Sequence, residues 1–293
     1  MSIISTTKFI ANHPLNRNRK MKAIFGFVKW QINSLLNPYP IIYQFTEKSK
    51  LIVGKGMTGA TGNLYCGLHE YMDMSFLLHF LRKDDLFVDI GANIGSYTVL
   101  AAAHVEAKTI SIEPVPSTFG HLTANININD IQKRIDAYNI ALGSSDGTVS
   151  FTKNQDTTNH VATTDDKETI EVRVSILDNV LAGKDAPVLL KIDVEGFETE
   201  VLNGASETLN SIGLKAIIIE LNGSGKRYGY DESVIHHKLI DLGFAPYQYA
   251  PLKRELIRVD TFGTHNTIYI RDIDFVNERI KNADKVNIRG NFI

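Results

Sequence analysis

The sequence predicts an α/β fold built on a parallel sheet, and three observations carry that expectation. Short apolar runs alternate with helix-like segments through most of the chain. One such run, LFVDI at 86–90, meets a glycine turn and then a helical stretch. The last two runs, 246–250 and 266–272, read as antiparallel partners closing the chain. Strands that alternate with helices imply a parallel sheet joined by right-handed crossovers.

A chain of 293 residues can bury a full core. We divide it into an extension, 1–60, and a core domain, 61–293. A content of 43% hydrophobic and 22% charged residues is ordinary for a globular protein. The formal net charge of −2 argues against gripping a phosphate backbone, so no nucleic-acid partner is expected. The single Cys66 excludes an internal disulfide and points to a reducing, cytoplasmic setting. No run approaches the roughly 20 apolar residues that span a bilayer.

Residues 1–20 read as a poorly ordered tail. A basic stretch, LNRNRKMK, then precedes AIFGFVKWQINSLLN at 23–37. Lys29, Gln31 and Asn33 interrupt that run, so it is not a signal peptide. Ile24, Phe25, Phe27, Val28, Ile32, Leu35 and Leu36 fit one helical stripe. A stripe so apolar should cover the protein's own surface or a second copy in a homodimer. Peripheral contact with an anionic membrane, favoured by Arg17, Arg19, Lys20 and Lys22, is the weaker alternative. NPYP at 37–40 stops the helix.

Segments 41–45 and 50–54 form a strand pair, and the Gly- and Thr-rich 54–63 should be loop. Helical spacing follows at 74–82, then the strand 86–90 and a helix over 97–105. TISIEP at 109–114 is a strand ended by Pro114; 119–130 is a helix and 135–143 a third strand. Residues 144–176 break the rhythm, with alternating strands at 148–152 and 169–175, an inserted β-hairpin. A strand at 188–196, a helix at 198–212, a strand at 215–223 and a helix at 233–244 restore it.

In open α/β sheets ligands bind at the carboxyl ends of the strands, so the turn DIGANIG matters most. Gly91 and Gly95 are too widely spaced for the dinucleotide pattern, and Asp89 would repel a pyrophosphate. An acid there suits the ammonium of S-adenosylmethionine. Glu113, ending the next strand 24 residues on, is placed to accept from two ribose hydroxyls. An NAD-dependent oxidoreductase is the lesser alternative.

DIGANIGSYT, SIEP, KIDVEGFE and IIIEL together resemble the FkbM-type methyltransferases, over roughly residues 60 to 275. That resemblance implies a class I, Rossmann-like sheet of seven strands whose last strand is antiparallel. It implies S-adenosylmethionine as cofactor, S-adenosylhomocysteine as product, and O-methylation of sugars, glycans or small hydroxylated natural products. It further implies that Asp89, Gly91, Asn93 and Gly95 line the methionine and ribose part of the site. Glu113, with Pro114 beside it, would bind ribose, and Asn139, Ala141 and Leu142 would lie near adenine.

A sugar hydroxyl is a poor nucleophile, so a base or a metal should assist. Lys191, Asp193 and Glu195 alternate along KIDVE at the strand tip over the methyl group. Asp193 and Glu195 are the candidate bases, and His160, in the inserted loop, is a third. Glu220 is a further carboxylate that could hold a divalent metal with Asp193, although two acids on neighbouring strands are no metal signature. HEYMD lacks the second His of a zinc protease; Tyr65, His69 and Glu70 are instead expected near the cofactor as a lid.

Overall fold

The computed structural model describes residues 3–153 and 158–293. Residues 1–2 of the expected tail and 154–157 of the expected hairpin loop lie outside the described residues. The tail is folded from its third residue on. Helix α1 (Ile3–Asn12) buries Ile10, a 3₁₀ turn follows at Pro14–Asn16, and Leu15 is buried beneath it. The Asn16 amide donates to the carbonyls of Ile10 at 3.0 Å and Tyr65 at 3.1 Å. These anchors fold the segment that was expected to be a poorly ordered tail.

Helix α2 (Lys20–Leu36) packs by the face opposite to the one expected. Ala23, Phe27, Trp30 and Ser34 are buried, whereas Phe25, Val28, Ile32, Leu35 and Leu36 are exposed. Strands β1 (Ile41–Thr46) and β2 (Ser49–Val53) pair antiparallel, as expected. The expected loop 54–63 instead contains most of α3 (Thr58–Cys66). Tertiary contacts override its weak helix propensity. The buried Asn63 amide donates to Gly59 O at 2.9 Å and Ser96 Oγ at 3.0 Å, and Asn63 Oδ1 accepts from His69 N–H at 2.8 Å.

Helix α4 (Tyr71–Phe80) leads into β3 (Leu86–Ile90), then α5 (Ser96–Val99) with a π-helical turn at Leu100–Val105. Next come β4 (Lys108–Ile112), α6 (Pro116–Ile128) and β5 (Ile135–Tyr138). The expected strand 135–143 is split, because β6 (Ala141–Leu142) leaves the main sheet. It joins β7 (Gly147–Thr152) and β8 (Thr169–Ser175), making the inserted hairpin a three-stranded sheet. After α7 (Leu177–Leu181) and β9 (Leu189–Ile192), the expected helix 198–212 forms as two, α8 (Glu198–Asn203) and α9 (Ser206–Asn210). The break falls at Gly204, where a Cβ would lie 2.1 Å from Gly143 O.

The remaining elements are β10 (Ala216–Glu220), α10 (Glu232–Asp241), β11 (Ala245–Ala250), β12 (Glu255–Arg258), β13 (Asn266–Ile270) and α11 (Ile273–Lys281). A small hairpin, β14 (Asn287–Ile288) and β15 (Asn291–Phe292), comes last. The main sheet therefore has eight strands, in the order β12-β11-β13-β10-β9-β3-β4-β5. Strands β5, β4, β3, β9 and β10 are parallel, and β13 runs antiparallel to both β10 and β11. The eighth strand, β12, adds an antiparallel edge that its charged, exposed sequence concealed. The chain does not end on the strand pair either: Val276 and Ile280, four apart on α11, are buried in a mostly polar segment.

Period-two alternation splits the core. Phe87, Leu189 and Ile218 face a cluster shared with α2, α4 and α11, while Val88, Leu190 and Ile217 face α8, α9 and α10. The buried Asn125 ties the extension to the β3 turn, accepting from Ile52 N–H at 2.7 Å and donating to Ile94 O at 2.8 Å. Asn125→Ala is expected to lower stability by about 1–3 kcal/mol for each backbone group it strands in the interior. The shift of the urea midpoint measures this, and an unchanged midpoint would contradict it.

Candidate active site

The site grows from two turns that meet. After β3, Gly91 takes φ +75°, a conformation suited to glycine. Gly91 and Ala92 both donate their N–H to Ile112 O, at 3.0 and 2.9 Å. A Cβ on Gly91 would stand 1.8 Å from Asp193 O, so the turn after β9 presses directly on this backbone. Glu113, at the end of β4, clamps the arrangement from the side. Its carboxylate accepts from Asn93 N–H and Val115 N–H, each at 2.9 Å. Burial pushes Glu113 up to about 7 against the pull of those two amides.

Over these tips lies a cavity of about 280 Å³. Gly91, Asn93, Glu113 and Pro114 line it, together with the apolar side chains of Ile140, Ala141, Leu142, Phe151 and Phe197. His69, Glu70, Tyr97, Lys191, Asp193, Glu195 and Glu220 complete the lining. The inserted sheet contributes Phe151, Asn159 and Val161, so the insertion is part of the wall.

Lys191 is buried among acids. Its Nζ lies 2.9 Å from Asp193 Oδ2 and 4.9 Å from the centre of the Tyr97 ring. Burial alone would lower its pKa, but Asp193, Asp89 and Glu70 more than reverse that and hold it charged. Tyr97 donates to Glu70 Oε2 at 2.5 Å; burial first, then Glu70, raises its phenol well above the usual value.

One carboxylate oxygen each from Asp193, Glu195 and Glu220 falls within 4.8 Å of the others. Burial, with Asp193 next in effect, pushes Glu195 up to about 7 and Glu220 up to about 9. The three oxygens are hard donors of the type that suits Mg²⁺, but the Lys191 ammonium already neutralises one of them. The β9 turn is strained, with Glu195 at φ +55°. The buried Glu198 carboxylate accepts from Val194 N–H at 3.1 Å and Gly196 N–H at 3.2 Å, and Arg227 donates to Glu195 O at 2.8 Å.

Of the residues the sequence singled out, the cavity brings together Gly91, Asn93, Glu113, Pro114, Ala141, Leu142, His69, Glu70, Asp193, Glu195 and Glu220. Others lie behind it. Asp89 is fully buried under the turn, where its Oδ2 accepts from Thr98 N–H at 3.0 Å and Thr98 Oγ1 at 2.7 Å. Gly95 begins α5, and Asn139 donates to the carbonyls of Glu113 and Pro114. Tyr65 packs edge-on to Phe27 and accepts from Gln31 at 3.1 Å. His160 is buried in the inserted sheet, its Nε2 3.3 Å from Asp166. Sequence reasoning missed Tyr97, Phe151 and Phe197, which it placed only as parts of a helix, the inserted hairpin and the KIDVEGFE turn.

The donor set fits a cationic adenosyl cofactor. Five carboxylates face one lysine in the lining, which favours a sulfonium and an ammonium and repels a pyrophosphate. The glycine turn itself is packed against protein, Gly91 against the Asp193 carbonyl and Gly95 against Leu122, so the glycines serve the close approach of neighbouring elements.

Comparison with known proteins gives a match to the methyltransferase FkbM domain over residues 89–246. The hexuronic acid methyltransferase AglP of Haloferax volcanii is 32% identical over 149 residues, 50% of this chain and 59% of that protein. A tRNA(Phe) (4-demethylwyosine(37)-C(7)) aminocarboxypropyltransferase of Pyrococcus horikoshii is 41% identical over 59 residues, 20% of this chain and 21% of that one. Methyltransferase 1 of Beauveria bassiana is 26% identical over 202 residues, 60% of this chain and 78% of that one. The chain thus spans less than two thirds of the first two relatives.

The acidic cluster makes stability depend on pH. Glu220 is held at about 9 in the fold against an ordinary 4.5, so the folded state binds its proton more tightly. The stability this contributes is full below about 4.5 and is lost as pH rises toward 9. Buried His13, His79 and His104, held at low pKa, act in the opposite sense below neutrality. Comparing Glu220→Gln with wild type cancels them. The variant's melting temperature should gain on wild type as pH rises through that window, and a constant difference would contradict the burial of Glu220.

Proposed function

The chain belongs to the FkbM methyltransferase family, and from that premise we propose that it methylates a hydroxyl of a sugar or glycan. S-adenosylmethionine, when bound, supplies an electrophilic methyl group on sulfur. The protein's share is to hold the acceptor oxygen in line with that methyl and to take its proton. Such positioning is worth roughly 7–11 kcal/mol in favourable cases.

The observation that carries this reading is the row of carboxylates at the tips of β9 and β10, beside the glycine turn. Asp193, anchored by Lys191, accepts a hydrogen bond from the acceptor hydroxyl and orients it. Glu195, near 7, is matched to a base working at neutral pH. Glu195 would take the hydroxyl proton as the acceptor oxygen is methylated. Glu220, protonated at neutral pH, can donate a hydrogen bond to a neighbouring sugar oxygen. Glu113 receives the ribose hydroxyls, and the apolar side chains Ile140, Leu142 and Phe197 of the lining take the adenine. His160, buried with its Nε2 3.3 Å from Asp166, is left without a role in this reading.

A sugar acceptor fits the several convergent carboxylates, which suit a molecule with adjacent hydroxyls, and the named activity of the Haloferax volcanii relative points the same way. A cytoplasmic setting fits a buried, unpaired thiol at Cys66 and a cofactor made inside cells.

Incubation with labelled S-adenosylmethionine and a panel of neutral sugars, uronic acids and their nucleotide derivatives should transfer label to one class. Transfer of an aminocarboxypropyl group instead of methyl would contradict the reading. Glu195→Gln should cut turnover by roughly 10²–10⁴ while S-adenosylhomocysteine affinity is kept. In wild type the rate should rise through about pH 7, as Glu195 loses its proton. A chelator should leave turnover intact; loss restored by Mg²⁺ would move the role of the three carboxylates to a metal.

A further inference from the structure

Helix α2 has two apolar faces, and only one is covered. The buried face, Ala23, Phe27, Trp30 and Ser34, rests on the body of the protein. Opposite it, Met21, Phe25, Val28, Ile32, Leu35 and Leu36 recur at intervals of four, three, four, three and one, a single stripe along the helix. Phe25 is 69% exposed, Ile32 54% and Leu35 73%. Helix α1, packed beside it, adds exposed Ile3 and Ile4. Eleven of the eighteen exposed large apolar side chains among the described residues fall between Ile3 and Ile42. Apolar surface gathered in this way marks an interaction site.

The charge around it identifies the partner. Lys8, Arg17, Arg19, Lys20, Lys22 and Lys29 precede the first acid of the chain, Glu47. Arg19 is turned inward to the Arg289 carbonyl, and the other five are exposed. A second copy of this chain meeting the stripe across a two-fold axis would set the same basic patch against itself. An anionic bilayer surface complements both properties, apolar in its interior and negative at its face. No helix among the described residues is long and apolar enough to cross a membrane, so α2 would lie in the plane of the interface.

We propose that α1 and α2 form a peripheral docking surface for anionic lipid bilayers, with the Met21–Leu36 stripe inserted among the acyl chains and the flanking lysines at the headgroups. This reverses the preference drawn from sequence, which gave the stripe to the protein's own surface or to a second copy. The docked helix also touches the site's walls: Phe27 stacks edge-on to Tyr65 of α3, and α3 lends Thr58 and Gly59 to the cavity.

The test is sedimentation of the full-length protein with vesicles of phosphatidylcholine alone or of phosphatidylcholine mixed with phosphatidylserine. Binding is expected only to the mixed vesicles and should fall with salt. Lys22→Gln and Lys29→Gln should each weaken it by roughly fivefold. Phe25→Ser combined with Ile32→Ser should abolish it while circular dichroism and S-adenosylhomocysteine binding stay at wild-type values, since both side chains are exposed. Three results would overturn the proposal: no binding to the mixed vesicles, equal binding to both kinds, or a dimer by light scattering that Phe25→Ser with Ile32→Ser splits while no vesicle binds.

Discussion

Where the turn after β3 passes the turn after β9, the Gly91 backbone faces the Asp193 carbonyl with no room for a side chain between them. Parallel strands β3 and β9 are neighbours in the sheet, in register from Phe87 opposite Leu189 to Ile90 opposite Ile192. Both turns therefore leave the sheet at the same height, and the first must be thin for the second to cross it. That thinness brings the carboxylates at the tips of β9 and β10 over the groove beside Glu113. A bulkier turn would separate the groove from the groups proposed to act on the acceptor.

Close packing of acids follows from the same geometry and has its own cost. Asp89, Glu70, Asp193, Glu195 and Glu220 share a small region with Lys191, and burial there raises several carboxyl pKa values at once. The fold tolerates this because some of these groups keep their protons near neutrality and Lys191 balances others. Such groups sit poorly in an empty site and well against a cation. A site held in that state favours a cofactor carrying positive charge, and Glu195, pushed up to about 7, lies near the pKa that a base working at neutral pH requires.

Much of this was legible in the chain because the relevant chemistry is local. The DIGANIG turn, the acid ending SIEP and the alternating KIDVE each mark a strand tip through a short pattern, and the sheet brings the three tips together. What was not legible depended on distant contacts. Asn63 holds α3 helical through Gly59, Ser96 and His69, which no reading of a Gly- and Thr-rich segment could show. Asp89 resembles a ligand-facing acid in sequence, yet Thr98 holds it under the turn. On α2 the more apolar stripe was taken for the packed face, whereas the packed face shares only Phe27 with it and otherwise uses Ala23, Trp30 and Ser34. The eighth strand and α11 were hidden by charge, since each buries only a few side chains.

Titration calorimetry of S-adenosylhomocysteine into wild type and Gly91→Ala tests the central claim most directly. The account predicts binding to wild type and none to Gly91→Ala at a temperature where circular dichroism shows the variant still folded. Wild-type affinity in Gly91→Ala would contradict it, because the contact between the two turns would then not shape the cofactor groove.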